Sequence, residues 1–407
     1  MLTQPYMTFD QYQGHRVHIG LTGSIAAFKA LELVRLLQKS SVAVSATITR
    51  SGSGFIGPLT LSALGIDPLF IQDKYNPLEQ PFAHLSSLLH PGTFLVAPAT
   101  ANILAKAASG IADDLLSTQI LSYPGRVLFA PAMNPNMWEN PATRRNIRLL
   151  QENGHRIIEP DSGPVACGEQ GKGRFPDPAE LYYTCLQEIT NKDFSSRKVL
   201  VTAGPTHEYF DLVRYWSNPS SGRMGLATAL ALWLRGAEIY FVHGPMQPLL
   251  PLHNFHIYPV TTAQDMYNQC RTLWPECDLG VFSAAVADFA PEKASSLKFK
   301  KQGRDSLQVK MKPTRDILAD MSFSRTINQK IVGFAAEAEL LENNASLKLK
   351  NKGLDLIVAN QVSSESTPFG SDDNQVLIMD KSQRKEYWPK LSKQKIAWRL
   401  ADWIREL

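Results

Sequence analysis

Short apolar runs punctuate this chain, and most of them end in glycine, proline or another small residue before a stretch of helical spacing begins. RVHIGLT at 16–22 runs straight into GSIAAFKALELVRLLQKS, whose apolar residues recur with a helical period, and VAVSATIT follows at 42–49. Strand, helix, strand in that order predicts a βαβ unit, which builds parallel sheets covered by helices on both faces. TFLVAP (93–98), RVLFAP (126–131) and HRIIEP (155–160) read as further strands, with helical stretches between them.

The pattern then restarts. KVLVTAG (198–204) is again an apolar strand ending in glycine, and RMGLATALALWLRGA reads as a strong helix. EIYFVHG (238–244), DLGVFSA (278–284), KIVGFAAE (330–337) and DLIVAN (355–360) supply more strands. NKDFSSRK (191–198), polar and serine-containing, suits a boundary. The halves are not close repeats of each other. The fold class predicted is α/β, two Rossmann-like doubly wound domains in tandem, 14–190 and 191–407, each with its own ligand. Such sheets bind ligands beyond their C-terminal strand ends, at the topological switch point.

Composition narrows the picture only a little. Apolar residues make up 44% and charged residues 20% of 407 positions, which suits globular domains with sizeable cores. A net charge of +4 favours anionic ligands but is too small to argue for nucleic acid. No apolar run reaches the ~18–20 residues that span a bilayer. The start, MLTQPYMTFDQYQGHR, lacks the basic-then-apolar order of a signal peptide. Four cysteines (167, 185, 270, 277) in so long a chain do not form a disulfide framework. A cytoplasmic protein is expected, with residues 1–13 disordered or used as an oligomer contact.

Candidate chemistry clusters at the strand ends. TGSIAAFKA (22–30) is a strand-to-helix turn with one Gly and one Ser. It suits a mononucleotide or flavin phosphate, or else is a plain turn with Ser24 as cap. It lacks the GxGxxG of a dinucleotide fingerprint, which speaks against a nicotinamide-dependent dehydrogenase. PATANILAKAASGIADDLLST (98–118) carries small and hydroxyl residues that admit a flat ring or serve close helix packing. FAPAMNPNMWENP (129–141) ends a strand in residues that turn chemistry explains only in part, since Met133, Met137 and Trp138 are costly to leave in water. His84, in PFAHLSSLLH, is either structural or catalytic. Cys167 sits in GPVACGEQGKGRF, a glycine-hinged stretch where Lys172 and Arg174 would lower a thiol pKa and attract phosphate; it is either a reactive thiol or a bystander.

GSIAAFKA, the histidine of FAHLSSL, PAMNPNMW and ACGEQGKGRF occur in this order in phosphopantothenoylcysteine decarboxylases, within the flavin-containing cysteine decarboxylase family, and residues 14–190 resemble them. The resemblance implies FMN, with its phosphate at Gly23, Ser24 and Ile25 and further contacts at Thr49, Thr100 and Ser117. It implies oxidation of the substrate's cysteine thiol to a thioaldehyde, with His84 matching the base. The carboxylate is then β to a thiocarbonyl, so CO2 leaves into a delocalised enethiolate; reduced flavin returns the electrons, and Cys167 matches the proton donor. Asn134, Met137 and Arg174 match substrate contacts.

In the second half, AGPTHEYFDLVRYWSNPSSGRMG (203–225) ends at a helix start, and SNPSSG there is a natural anion cradle. AAVADFAPEKASSLKFKK (284–301) places Asp288 after a strand and lysines at 298, 300 and 301. KPTRDILADM (312–321) adds a helix start with Arg315 and Asp316, and Lys348 and Lys352 lie on one helical face. Together these resemble phosphopantothenate–cysteine ligases, from about 198 to 405. The order, decarboxylase then ligase, resembles the bacterial bifunctional coenzyme A biosynthesis enzymes.

That resemblance implies attack of the 4'-phosphopantothenate carboxylate on CTP, giving acyl-cytidylate and pyrophosphate, then displacement of CMP by the amine of L-cysteine. Mg2+ offsets triphosphate charge, held mainly by the CTP phosphates. Asn218 matches a contact to the acyl intermediate, and Lys298 the residue stabilising charge in nucleotidyl transfer. Lys298, Asp288, Arg315, Asp316, Ile317, Leu318, Phe334, Lys348 and Lys352 match CTP contacts. A homo-oligomer is implied, with trimeric decarboxylase and dimeric ligase domains, reaching a dodecamer. Four positions differ from the family pattern: His207 for Arg, Arg223 for Lys, KPTRDIL for NPDIL, and Glu-Ala for Glu-Thr at 337–338.

Overall fold

The computed structural model describes residues 7–76, 78–88, 92–166, 168–246, 255–300, 306–337, 339–361 and 371–407. The chain divides into two compact units, Met1–Thr190 and Asn191–Leu407.

The first unit is built on β1 (Arg16–Leu21), β2 (Ala43–Ile48), β3 (Leu69–Ile71), β4 (Gly92–Ala99), β5 (Val127–Pro131) and β6 (Arg156–Ile157). They form one parallel sheet in the order β3-β2-β1-β4-β5-β6. Val17 of β1 faces Val44 on one side and Thr93 on the other. Strands covered on both faces read as near-continuous apolar runs, which is why β1, β4 and β5 are so legible. The order reverses between β1 and β4, so their C-terminal ends flank the crevice where such sheets take ligands. The run expected over 155–160 pairs only at Arg156–Ile157, since Pro160 has no N–H for a longer ladder. An antiparallel hairpin follows, β7 (Asp161–Pro164) and β8 (Gln170–Arg174).

The N-terminal segment differs from expectation. Residues 7–13 are packed rather than loose, with Met7, Phe9 and Tyr12 buried, while residues 1–6 of the expected 1–13 segment lie outside the described residues. Phe9 N–H donates to Tyr182 Oη (3.1 Å), Tyr183 Oη to Met7 O (3.0 Å), and Tyr12 and Thr190 hydroxyls meet at 2.8 Å. Three apolar side chains in a short polar stretch tie it to the helix Pro178–Ile189.

A buried polar chain runs under the sheet. His18 Nδ1 lies 2.9 Å from Ser45 Oγ and its Nε2 lies 3.0 Å from Thr47 Oγ1. Thr47 donates to Gln119 Oε1 (2.6 Å), and Gln119 Nε2 donates to Ala83 O (2.8 Å), next to His84. Thr47 spends its only hydroxyl proton on Gln119, so His18 carries its proton on Nε2 and accepts from Ser45. Burial, opposed by Gln119 and aided by Arg16, lowers the His18 pKa to about 4. The folded state therefore keeps His18 neutral while the unfolded chain protonates it below its ordinary pKa. The stability this confers is whole above the unfolded value and is lost as pH falls toward the folded one. Denaturant unfolding of the full chain should show about 3 kcal/mol of stability lost through His18 between those two pKa values. His18→Gln should remove that part of the slope. An unchanged slope would contradict a buried neutral imidazole.

The second unit repeats the winding. Its main sheet holds β9 (Lys198–Ala203), β12 (Glu238–His243), β13 (Phe255–Pro259), β14 (Leu279–Phe282), β17 (Lys330–Glu337), β18 (Leu356–Gln361), β19 (Asp373–Asp380) and β20 (Lys385–Ser392). Between them in the chain come two small pairs, β10 (Glu208–Tyr209) with β11 (Tyr215–Trp216), and β15 (Phe289–Pro291) with β16 (Met311–Pro313). The sheet order is β13-β12-β9-β14-β17-β18-β19-β20, parallel as far as β18 and antiparallel beyond. Its switch point lies between β9 and β14. Both units are thus Rossmann-like and doubly wound, as the sequence predicts, but the antiparallel pair closing the second sheet was not anticipated. The last helix, Lys393–Arg405, returns to pack on Arg223–Leu234. Among the described residues no helix is long and apolar enough to cross a membrane.

Candidate functional site

Each unit carries a cavity near its switch point. In the first, a cleft of about 540 Å³ is lined by Ser24, Ile25, Phe28, Lys29, Met133, Asn134, Val165, Arg174 and Phe175, among others. Ser24 sits in the turn between β1 and the helix Ala27–Lys39, its Oγ accepting from Ala26 N–H at 3.3 Å. Asn134 is the N-cap of Pro135–Glu139, its Oδ1 accepting from Met137 N–H at 2.8 Å. The loop before it is fastened to β8, with Met133 N–H donating to Gly173 O at 3.0 Å. Gly173 has φ +141°, and a Cβ there would fall 2.3 Å from Met133 O, so only glycine admits this approach. Lys29 and Arg174 both reach the cleft. Burial, then Arg174, lower the Lys29 pKa, with Asp161, Asp177 and Glu32 opposing.

The structure thus brings Ser24, Ile25, Asn134 and Arg174 to one cleft, with Gly23 in the adjoining turn. It does not bring the others to that lining. Met137 is 45% exposed on its short helix. Thr49 and Thr100 are N-caps, accepting from Gly52 N–H (3.1 Å) and Ile103 N–H (3.4 Å). Ser117 is buried in a capping box with Asp114. His84 lies on the 3₁₀ turn Ala83–Leu88, its carbonyl accepting from Ser122 Oγ at 2.8 Å. Cys167 lies outside the described residues. The other cysteines, 185, 270 and 277, are buried and free, and burial pushes their thiols up, which suits packing rather than reaction.

The second cavity, about 490 Å³, gathers nearly every residue singled out in the second half. Asn218, Asp288, Arg315, Asp316, Ile317, Leu318, Phe334, Lys348 and Lys352 all line it. Asn218 Nδ2 donates to Val286 O at 2.9 Å, binding the SNPSSG loop to the segment after β14. Gly222 caps the helix Arg223–Leu234 with φ +68°, and a Cβ would lie 2.8 Å from Met246 and 3.1 Å from Gly204 N. Lys352 pairs with Asp316 (2.9 Å) and Lys348 with Glu337 (2.9 Å). Burial pushes the Asp316 carboxyl up, but Lys352, the Ala319 N–H and Lys348 outweigh it and hold the pKa low. Arg315 rests over the Tyr267 ring, 4.7 Å from its centroid.

Lys298 is the exception: it is exposed, outside the cavity lining, on a loop that a carboxylate fastens. Asp211 accepts from Phe299 N–H (3.1 Å), Val213 N–H (2.7 Å) and Arg214 N–H (2.6 Å). Arg214 Nη1 bridges Asp211 (2.8 Å) and Phe299 O (3.1 Å). Burial pushes Asp211 up, but these donors outweigh it and hold its pKa low. Motif reading passed over this Asp211–Arg214 clasp, although it lies within the quoted 203–225 stretch. His207 stacks on Tyr215 with centroids 3.8 Å apart. Burial lowers its pKa against the pull of Glu208, so the imidazole is a neutral stacking surface rather than a cation.

Among the lining residues that escaped functional assignment from sequence are Asn360, Asn374 and Lys393. Asn360 Oδ1 is buried without a hydrogen-bond partner, and Asn360 lines the cavity. DLIVAN marks its strand end, which was the available signal. Among the described residues no group of three or more His, Cys, Asp or Glu side chains could hold a metal ion.

Comparison with known proteins agrees with this division. The Flavoprotein family model matches residues 7–190, and that of the DNA/pantothenate metabolism flavoprotein C-terminal domain matches 194–407. A coenzyme A biosynthesis bifunctional protein CoaBC from Bacillus subtilis (strain 168) is 36% identical over 95% of this chain and 96% of its own length. One from Vibrio parahaemolyticus is 35% identical over 97% of this chain and 98% of its own length. A cysteine/cysteine sulfinic acid decarboxylase from an unknown prokaryotic organism is 39% identical over 86% of this chain and 98% of its own length. With two domain models following one another along the chain and relatives aligned across both, the chain belongs to the coenzyme A biosynthesis bifunctional protein family, a flavoprotein domain followed by a pantothenate-metabolism C-terminal domain.

Proposed function

We propose that the chain is a bifunctional enzyme of coenzyme A biosynthesis. The second unit joins 4'-phosphopantothenate to L-cysteine with CTP, and the first decarboxylates the product to 4'-phosphopantetheine. The observation that carries this is the gathering of Asn218, Asp288, Arg315, Asp316, Phe334, Lys348 and Lys352, scattered over the second half, into one cavity beside the SNPSSG loop.

In the first unit, the cleft's lining fits FMN in kind. Ile25, Phe28, Met133, Val165 and Phe175 offer apolar surface to a ring, while Lys29 and the turn at Gly23–Ser24 offer charge and N–H groups to a phosphate. Bound there, FMN supplies a two-electron acceptor and donor. Asn134 keeps its Oδ1 on the helix cap and presents Nδ2 to the substrate carboxylate. Arg174 holds a substrate phosphate, and Met137 closes over the bound substrate. His84 and Cys167 take and return protons. His84 stands off the cleft, so we assign it to a site completed by a neighbouring copy. Ile25, Phe28, Phe55 and Leu59 are each at least half exposed and provide the apolar surface for such a contact.

In the second unit, the carboxylate of phosphopantothenate attacks the α-phosphorus of CTP, and pyrophosphate leaves. The cysteine amine then attacks the acyl carbon, and CMP leaves. Asn218 holds the acyl group, Asp288 and Lys348 with Lys352 hold the nucleoside, and Lys298 approaches the α-phosphate from its loop. Mg2+ travels with the triphosphate. Exposed Leu212, Val213, Tyr215 and Trp216 form a second apolar face, suited to a dimer. We infer trimers through the first unit and dimers through the second, making a dodecamer.

The relative that decarboxylates cysteine and cysteine sulfinic acid supports a second reading, in which the first unit acts on these small acids directly. One set of incubations separates the two. Purified protein given 4'-phosphopantothenate, cysteine, CTP and Mg2+ should yield 4'-phosphopantetheine by mass spectrometry, with a bound-flavin absorption spectrum. CO2 release from cysteine or cysteine sulfinate without CTP would favour the second reading. Absence of pyrophosphate and of amide would sink the ligase assignment.

A further inference from the structure

His84 lies at the start of the turn Ala83–Leu88, and one face of a single helix holds that start in place. Leu115, Gln119 and Ser122 recur at helical spacing on Leu115–Ser122. Leu115 and Ala83 are buried in one apolar cluster with Phe70. Gln119 Nε2 donates to Ala83 O at 2.8 Å, and Ser122 Oγ donates to His84 O at 2.8 Å. Those two carbonyls belong to the planar peptide groups on either side of the His84 Cα. With both planes tied, the φ and ψ of His84 are set, and with them the direction of its Cα–Cβ bond.

Chemistry fixes which way the Gln119 amide points. A backbone carbonyl only accepts, so the end of the amide that faces Ala83 O is its NH2 end. Oε1 then faces Thr47, whose hydroxyl donates to it at 2.6 Å. Thr47 Oγ1 lies 3.0 Å from His18 Nε2, and His18 Nδ1 lies 2.9 Å from Ser45 Oγ. Ser45, His18, Thr47 and Gln119 are all buried, and their line ends on the backbone beside His84. Each member carries a desolvation cost that an apolar side chain would avoid. What the line supplies is one orientation of the Gln119 amide.

We propose that Gln119 and Ser122 are positioning residues for the decarboxylation: they hold the backbone at His84 so that its imidazole is presented in one direction. The inference rests on the reading of His84 as the base. His84 is not among the residues that line its own unit's cleft, so its aim depends on these ties rather than on the cleft walls. Misplacing a reacting group by about 1 Å costs on the order of 10²-fold in rate.

Stopped-flow bleaching of the bound flavin by phosphopantothenoylcysteine, without oxygen and with the full-length flavoprotein, tests this. Gln119→Met should slow flavin reduction about 10–100-fold at saturating substrate and leave the half-saturating concentration within about threefold. Ser122→Ala, at the partly exposed end of the same helix face, should shift the rate in the same direction. Ser122→Thr, which keeps the hydroxyl, should restore it, and this pair carries the test if Gln119→Met fails to fold or to hold flavin. Hydrogen exchange over 83–88 in flavin-free protein should quicken about tenfold in both slowed variants, the value of one lost hydrogen bond. The decisive comparison is with His84→Asn. Added to that variant, Gln119→Met should slow reduction no further, because the group it aims is gone. A further slowing as large as that seen in the parent, or parental rates in both Gln119→Met and Ser122→Ala, would overturn the assignment. If His84→Asn alone reduced flavin at the parental rate, the reading of His84 as the base would fall, and this inference with it.

Discussion

Asn134→Asp lowers the rate of decarboxylation by about 10²–10³-fold while leaving the fold and the ligase reaction intact. The separation follows from the two ends of one amide. Its Oδ1 caps the helix Pro135–Glu139 through Met137 N–H, and a carboxylate caps as well as an amide does. Its Nδ2 is the end that faces a substrate carboxylate in the proposed reaction. Replacing that donor by an anionic oxygen removes one attraction and adds a repulsion. The check is the rate of CO2 release from synthetic phosphopantothenoylcysteine, with pyrophosphate release by the same preparation as internal control. A variant within about threefold of the parent would mean that Asn134 is a cap and nothing more.

Asn218→Asp should do the converse, lowering amide formation by about 10²–10³-fold and sparing decarboxylation of supplied substrate. Asn218 Nδ2 holds Val286 O at 2.9 Å, and an Asp oxygen there would face a carbonyl oxygen across the same gap. The loop between β9 and the helix Arg223–Leu234 loses its tie to the segment after β14. A further negative charge also enters a cavity proposed to take a triphosphate and a carboxylate. Pyrophosphate and amide are to be measured separately. Loss of both places the defect before or at nucleotidyl transfer. Pyrophosphate release without amide places it at attack by the cysteine amine. Unimpaired amide formation would remove Asn218 from the mechanism.

Much of the fold was legible because its central strands are buried on both faces. RVHIGLT, TFLVAP, KVLVTAG and KIVGFAAE read as uninterrupted apolar runs for that reason, and each lies in a parallel ladder. Two of the strands that escaped notice face water along much of their length. FHIYP (255–259) is an edge strand on which only Phe255 is buried, and KEYWPKLS (385–392) reads as polar because only Trp388 is buried deeply. The segment 7–13 was misjudged because three separated apolar residues give no period, yet their burial on Pro178–Ile189 needs none.

Site residues were legible where a loop carries several of them together. PAMN and SNPSSG are such loops, and their asparagines line the cavities. Thr49, Thr100 and Ser117 show the opposite limit. A hydroxyl at a strand end serves a helix cap as readily as a ligand, and in this chain each already serves the cap. Asn374 and Lys393 had no local signal at all. Only the pairing of β19 with β20 and the return of the last helix bring them to the cavity.

That return fixes the order in which the two halves can finish folding during synthesis. The lining of the first cleft ends at Phe175, and the unit's last helix ends at Ile189. The second cavity lacks a wall until Lys393 and the helix behind it have been made. At ~5–20 residues per second, the chain carries a finished first unit for on the order of 10–40 s before the second can close. Nascent chains halted short of the last helix should therefore contain a foldable flavin unit joined to a nucleotide cavity with one side open.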